Sequence, residues 1–439
     1  MTLSPHRRSE IIDALRRGTV PRNGLDTLAV GIERFAPALD DELKAVALGR
    51  GAFKAVRGEY GSGKTFFGRW LQERARSSGF ATSEVQISET ETPLHRMETV
   101  YRRMTERLAT ADAPEGALRD IIDAWFYTIE EDVLTEGGII AEDSQALLQR
   151  TEERMEGSLA GVTRAAPAFS AALRTYRRAL LARDHELAEG LIAWIGGQPN
   201  VAASLKRKAG IKGEIDHFGA ASFLGGLLTI MRDCGFRGLV LVLDEVETLQ
   251  RMRSDTREKG LNALRQLIDE IDAARFPGLY LMITGTTAFF EGPQGVLRSP
   301  PLAQRLHVDF ATDARFDNPR AVQIRLPGFD LGLLSGVGSK VRDIYADQAT
   351  DGDRIRQSVD DAYVSDLAKA VTGELGGRVG IAPRVFLKKL VSDVLDRVDQ
   401  FADFDPRKHY ALTISDSELN DVERGNRAAT NVDEVELRL

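Results

Sequence analysis

Residues 58–65 read GEYGSGKT and fit the spacing G-x-x-x-x-G-K-[ST], with Gly58, Gly63, Lys64 and Thr65 in the four constrained places. A glycine pattern this short recurs by chance, so its flanks decide what it means. Before it, FKAVR (53–57) reads as a short strand. After it, FFGRWLQERARSSG (66–79) puts Phe67, Trp70 and Leu71 on one side of a helix that ends near Gly79. Strand, glycine turn and helix in that order restrict the chain to an α/β fold. In such a turn the backbone of Glu59, Tyr60, Gly61 and Ser62 curls so that its N–H groups face phosphate oxygens, with Phe66 in the first helical turn. Lys64 then neutralises the β- and γ-phosphates of ATP or GTP, and the Thr65 hydroxyl is a ligand for Mg²⁺. The plainer reading is an ordinary strand-to-helix turn.

A second strand weighs against that plainer reading. GLVLVLDEVETL (238–249) runs through five apolar residues, Leu239 to Leu243, into Asp244 and Glu245. Such a run suits a central strand covered on both faces, whose acidic end emerges where open α/β sheets bind ligands. Asp244 is placed to complete the Mg²⁺ shell and Glu245 to polarise an attacking water. One helix later, marked by Leu261, Leu264, Leu267, Ile268 and Ile271, comes a third strand, GLYLMITGT (278–286). Its polar end puts Thr284 where a γ-phosphate contact would sit. A simple strand-to-loop boundary explains the same residues.

Composition excludes several alternatives. With 66 acidic against 58 basic residues the net charge is -8, which argues against a broad nucleic-acid surface while permitting a local basic patch. The best such patch is Lys206, Arg207, Lys208 and Lys212, either a contact for double-stranded DNA or a solvated face. The single cysteine, Cys234, forms no intrachain disulfide and reads as a core thiol; the six histidines show no metal-ligand spacing. MTLSPHRRSE at the start has no apolar signal core, and no apolar run is long enough to span a membrane. The expectation is a cytoplasmic protein.

The stretch between Lys64 and Asp244 is far longer than one crossover requires. ALRDIIDAWFYTIEEDVL (117–134), SQALLQRTEERM (144–155) and AALRTYRRALLARDHELAEGLIAWI (171–195) have helical apolar periodicity, so residues 115–235 are expected to form a helical insertion. The expected organisation is a linker (1–50), a first half of the α/β core (51–114), the insertion (115–235), the second half (236–335), a helical lid (336–405) and a polar tail (406–439).

This order of elements resembles an AAA+ P-loop ATPase core with a large helical insertion and a C-terminal helical lid. The resemblance implies an arginine finger, matched by Arg305 in SPPLAQRL (299–306). It also implies a lid arginine, matched by Arg384 in GIAPRVFLKKLVSDVLDRV (380–398), a stretch similar to the origin-recognition and Cdc6-like initiator branch. Each arginine also has a bland reading, Arg305 as a surface helix residue and Arg384 as a helix-start residue paired with a carboxylate. A linker that lies against the adenine base in AAA+ proteins corresponds here to Val20, Pro21 and Arg22. Initiator relatives often end in a winged helix, for which the residues after 405 are too few.

A closer resemblance runs over residues 7–400. RRSEIIDALRRGTVPRNGLDTLAVGIERF (7–35), FKAVRGEYGSGKTFFGRWL (53–71), VQISETETPLHRMETVYRRM (85–104), LVLDEVETL (241–249) and RVGIAPRVFLKKL (378–390) are similar to the ATP-binding proteins of BREX bacteriophage-exclusion systems. The resemblance implies a defence component that binds ATP and Mg²⁺. Its implied partners are a helicase, a methyltransferase or a phosphatase-like protein, and a nucleotide-dependent homo-oligomer is expected. Hydrolysis coupled to assembly, with DNA as one site of assembly, stands beside two alternatives. One is a nucleotide-gated scaffold with little turnover; the other is an ATPase that assembles on DNA like a transposition regulator.

Overall fold

The structure, a computed structural model, describes residues 3–136, 144–375, 383–419 and 423–424. Its centre is a five-stranded, wholly parallel sheet. The strands are β1 (Ala52–Arg57), β2 (Ala81–Gln86), β3 (Leu239–Asp244), β4 (Leu279–Gly285) and β5 (Gln323–Arg325), in the order β2-β3-β4-β1-β5. Parallel neighbours need long crossovers, and helices supply them on both faces. Every residue of β3 and β4 is buried, so the continuous apolar runs seen in the sequence are two adjacent interior strands.

The period of two along these strands separates the two faces. Leu239, Leu241 and Leu243 of β3 join Leu279, Leu281 and Ile283 of β4 in one cluster. Val240 and Val242 join Tyr280 and Met282 in another, with Phe67, Trp70 and Leu71 of the helix Lys64–Ser77 and Leu39, Leu43 and Val46 of the helix Ala36–Ala47.

Residues 115–235 are helical, as their periodicity implies. They comprise Leu118–Glu136, Ser144–Ser158, Ala160–Ala165, Pro167–Leu181, His185–Ile195, Ala203–Lys208 and His217–Asp233. These helices do not close on a core of their own. Trp125, Phe169, Tyr176, Trp194 and Phe223 form one continuous cluster with the first sheet face. Phe223 is the hub, with ring centres 4.8 Å from Phe169 and 5.4 Å from Trp194. Gly226 permits this packing, because a Cβ there would collide with the Phe169 ring.

The segment expected as a lid (336–405) is helical, and its helices, beginning five residues earlier, are Leu331–Ala346, Gly352–Ser358, Asp361–Glu374 and a continuous rod running through Pro383–Lys389, Leu390–Leu395 and Asp396–Gln400. The first residues depart from the expected linker. Pro5–Arg16 is a helix, capped by Ser4, and it packs Ile11, Ile12 and Leu15 into the lid's apolar cluster with Leu334, Val341, Phe386 and Leu390. Arg16 fastens it, donating to Asp396 at 2.7 and 2.8 Å, and the Tyr345 hydroxyl donates to the same carboxylate at 2.8 Å. That carboxylate raises the Arg16 guanidinium above its ordinary value. The tail also departs from expectation: Ile414 and Leu419 are buried against the lid. Residues 425–439 of the expected tail, and Gly380–Ala382 before Arg384, lie outside the described residues. β5 was not anticipated; three residues carry too little pattern to be read as a strand. No helix among the described residues is long and apolar enough to cross a membrane.

Ile11 is fully buried between the first helix and the lid. Replacing it with alanine is expected to lower stability by about 2–5 kcal/mol, through lost transfer energy and a cavity that cannot collapse. Equilibrium urea unfolding of the two proteins measures the difference.

Candidate functional site

The carboxyl ends of the strands open into a cavity of about 330 Å³. The turn after β1 forms one wall with Tyr60, Gly61, Ser62, Gly63, Lys64, Thr65 and Phe66. Val20, Pro21 and Val30 form a second wall, and Phe329, Leu333, Leu387 and Arg384 come from the lid side. The cavity is therefore polar at the turn and apolar between linker and lid.

Glycine is required in the turn for stated reasons. Gly61 and Gly63 sit at φ of 78° and 85°, and a Cβ on Gly58 would collide with Ser62 Oγ. Gly63 caps the helix Lys64–Ser77, so the helix's positive end borders the cavity. Lys64 folds across the turn and donates to the carbonyls of Gly58 at 3.0 Å and Glu59 at 3.2 Å. Ser62 Oγ is buried with no hydrogen-bond partner among the described residues.

Three polar residues from separate elements meet at the floor. The Thr65 hydroxyl donates to Asp244 Oδ2 at 2.8 Å, and the Thr284 hydroxyl donates to Asp244 Oδ1. Thr284 is fully buried and belongs to the layer behind Asp244, not to the cavity lining. The Glu245 N–H donates to Asp244 Oδ1 at 3.1 Å. Glu245 holds φ 60° and ψ 40°, a left-handed conformation unfavourable for a residue with a side chain. That turn leaves its carboxylate exposed, where Gln86 donates to it at 2.9 Å.

Glu247 was not singled out from the sequence, where it reads as part of an acidic helix cap. It lines the cavity, and its Oε2 is buried without a hydrogen-bond partner among the described residues. Burial pushes its carboxyl above the ordinary range while Lys64 pulls it down. The available signal was the third acid in DEVE.

The two anticipated arginines stand differently. Arg384 lines the cavity, but its guanidinium is held by Glu423, which is fully buried, and it also donates to the Glu418 carbonyl at 2.6 Å. The Glu423 contact raises the guanidinium above its ordinary value. Arg305 lies outside this cavity, paired with Asp269 and donating to Pro301 O at 2.9 Å. Val20 and Pro21 line the cavity, whereas Arg22 faces a second cavity and pairs with Glu115. In the basic patch, Lys206 is paired with Glu214 at 2.8 Å and Lys208 with Asp184 at 3.1 Å. Cys234 is half-buried, and burial pushes its thiol up to about 12, which removes it as a nucleophile.

A divalent cation has a fit here, though a narrow one. The Thr65 hydroxyl and the Asp244 carboxylate are adjacent hard oxygen donors, and no group of three or more acidic, histidine or cysteine side chains with metal-site geometry exists among the described residues. That donor set suits Mg²⁺, which takes one or two protein oxygens and completes its shell with water and phosphate.

Residues 3–414 match the model of a family described as BREX system ATP-binding protein BrxC/D. No curated protein matches the chain.

Glu423 and Glu418 hold the residues after the lid rod through Arg384 and Lys389. Glu423→Gln is expected to loosen the Phe401–Leu419 stretch and speed tryptic cleavage at Arg407 and Lys408 by about ten-fold, the effect of losing roughly 1.4 kcal/mol of local protection. Time-resolved limited proteolysis checks it.

Proposed function

The chain belongs to the BREX system ATP-binding BrxC/D family, and from that membership we propose that it is an AAA+ ATPase that binds ATP with Mg²⁺ in this cavity and hydrolyses it. One observation carries the reading: the Thr65–Asp244–Thr284 cluster at the carboxyl ends of three strand units, beside the Lys64 turn. The sheet order, with β1 between β4 and β5, agrees with that fold.

Each residue has a physical task in this reading. The N–H groups of the Gly58–Gly63 turn and the helix end donate to phosphate oxygens, and the buried Ser62 hydroxyl has capacity for one more contact. Lys64 exchanges the Gly58 and Glu59 carbonyls for phosphate. Thr65 and Asp244 hold Mg²⁺, which supplies charge neutralisation between the phosphates. Glu245, turned out of the strand by its left-handed backbone, orients water and takes its proton. Val20, Pro21 and the apolar lid residues enclose the base. Arg384 stabilises charge on the transferred group after leaving Glu423, and Arg305 serves a neighbouring subunit's site, since it is outside its own.

We read the chain as the BrxD kind of the family, on the similarity of residues 7–35 and 378–390. It acts in the cytoplasm as a nucleotide-dependent homo-oligomer with a helicase, methyltransferase or phosphatase-like BREX partner. Double-stranded DNA is engaged through Arg207 and Lys212, the members of the basic patch without an ion pair among the described residues. A second reading, a nucleotide-gated scaffold with slow turnover, is favoured by a specific observation. Glu245 is held by Gln86 and Arg384 by Glu423, so both groups that hydrolysis needs have other partners.

Steady-state ATP turnover across protein concentration, with and without duplex DNA, separates the two. Lys64→Ala is expected to weaken ATP binding by at least about ten-fold. Glu245→Gln is expected to keep binding and lose about 10²–10⁴-fold in kcat. Tight ATP binding without turnover at any concentration would leave the scaffold.

A further inference from the structure

Behind the linker lies a second cavity, of about 250 Å³, into which five arginines converge: Arg7, Arg22, Arg69, Arg76 and Arg107. Two carboxylates, Glu84 and Glu115, share it, and both are committed. Glu84 accepts from two nitrogens of Arg69 at 3.0 and 3.1 Å, and Glu115 pairs with Arg22. Two more carboxylates near Arg76 are also occupied. Glu73 accepts the N–H groups of Gly24 and Leu25 at 2.6 and 2.7 Å, and Glu10 accepts the Asn23 amide at 2.9 Å.

Arg76 is left with neutral acceptors. It donates to Thr82 Oγ1 at 3.0 Å, and to the Arg22 carbonyl and Asn23 Oδ1 at 3.4 Å each. Among the described residues, Arg7, Arg76 and Arg107 have no carboxylate in an ion pair. Arg76 is half-buried, and burial together with the charge of Arg22 lowers its guanidinium below the ordinary value against the pull of Glu73. A half-buried cation among like charges, in a chain of net charge -8, is held at a cost that a bound anion would offset.

We propose that this cavity is a second anion site, built for a compact ligand bearing a di- or polyphosphate group. Two features set the class. Planar guanidinium forks from different elements match phosphate oxygens bidentately. The excess of cations over free carboxylates calls for several negative charges in a small volume, which a phosphate chain carries and a single carboxylate does not. The recessed position of Arg76 favours a small ligand over a duplex backbone. The site shares a wall with the first cavity: Val20 and Pro21 line one, Arg22 and Asn23 line the other. Arg69 donates to the Val20 carbonyl at 2.7 Å and Arg76 to that of Arg22, so the same arginines that meet the anion hold that wall.

The test uses inorganic pyrophosphate titrated calorimetrically into the full chain. In a Lys64→Ala background, which weakens the first cavity, binding is expected to persist. Adding Arg107→Glu, an exposed position that folding tolerates, or Arg76→Gln should weaken it by at least ten-fold. Thermal melting of each variant confirms an intact fold. No binding in Lys64→Ala, or binding that both added substitutions leave unchanged, would overturn the site. Titration with a short duplex provides the other arm: duplex binding that depends on Arg76 and Arg107, without pyrophosphate binding, would overturn it in favour of backbone docking. Weaker ATP binding in Lys64→Ala alone bears on the first cavity only, so the two readings fail separately.

Discussion

Parallel pairing of β1 with β4 and of β4 with β3 sets Arg57 opposite Gly285, Val56 opposite Thr284, and Leu243 opposite Ile283. That register ends all three strands at one level. The Asp244 carboxylate there receives hydroxyls from Thr284 on one side and from Thr65, at the start of the helix after β1, on the other. A slip by one residue would turn Asp244 to a different face and separate the three groups. The register is held by the two apolar faces of β3 and β4, which only this pairing buries on both sides. The polar floor of the cavity is thus positioned by packing that lies beneath it.

The other half of the cavity depends on a different body of packing. The first helix belongs to the lid cluster, while Leu25, Ala29 and Ile32, just after it, belong to the cluster beneath the Lys64 helix. The linker therefore crosses between the two, and Lys340 of the lid donates to the Ala29 carbonyl at 2.6 Å. Phe66, next to Thr65, is partly buried against both clusters. One side chain adjoining Thr65 thus touches both bodies of packing.

The parts legible in the sequence were those with strong local pattern. The five-residue run ending in Asp244 and the glycine spacing around Lys64 need no tertiary information to be read, and both lie where expected. The helical character of 115–235 was equally plain, but not its merger with the sheet core, because Phe223 and Trp194 look alike whether they pack within a bundle or onto a sheet. The first helix was missed because Ile11, Ile12 and Leu15 stand among arginines, and their apolar partners lie in the lid more than 300 residues away. Arg22 illustrates the finer limit: its neighbours Val20 and Pro21 line the first cavity, and one turn of backbone sends it into the second. The pairing of Arg384 with Glu423 joins residues from segments that carried no shared pattern at all.

The cations around the first cavity share one property with that pair. Lys64 is bonded to two carbonyls and Arg384 to a buried carboxylate and a carbonyl. In the reading we propose, a phosphate arriving there exchanges partners and does not satisfy idle charge, so its net gain is the difference between two sets of bonds. The difference is largest where the outgoing partner is neutral, as for Lys64, and smallest where it is a carboxylate, as for Arg384. Binding through the turn can therefore precede engagement of the lid arginine. In the reading we propose, engagement then requires either more negative charge on the bound group or displacement of Glu423 from Arg384.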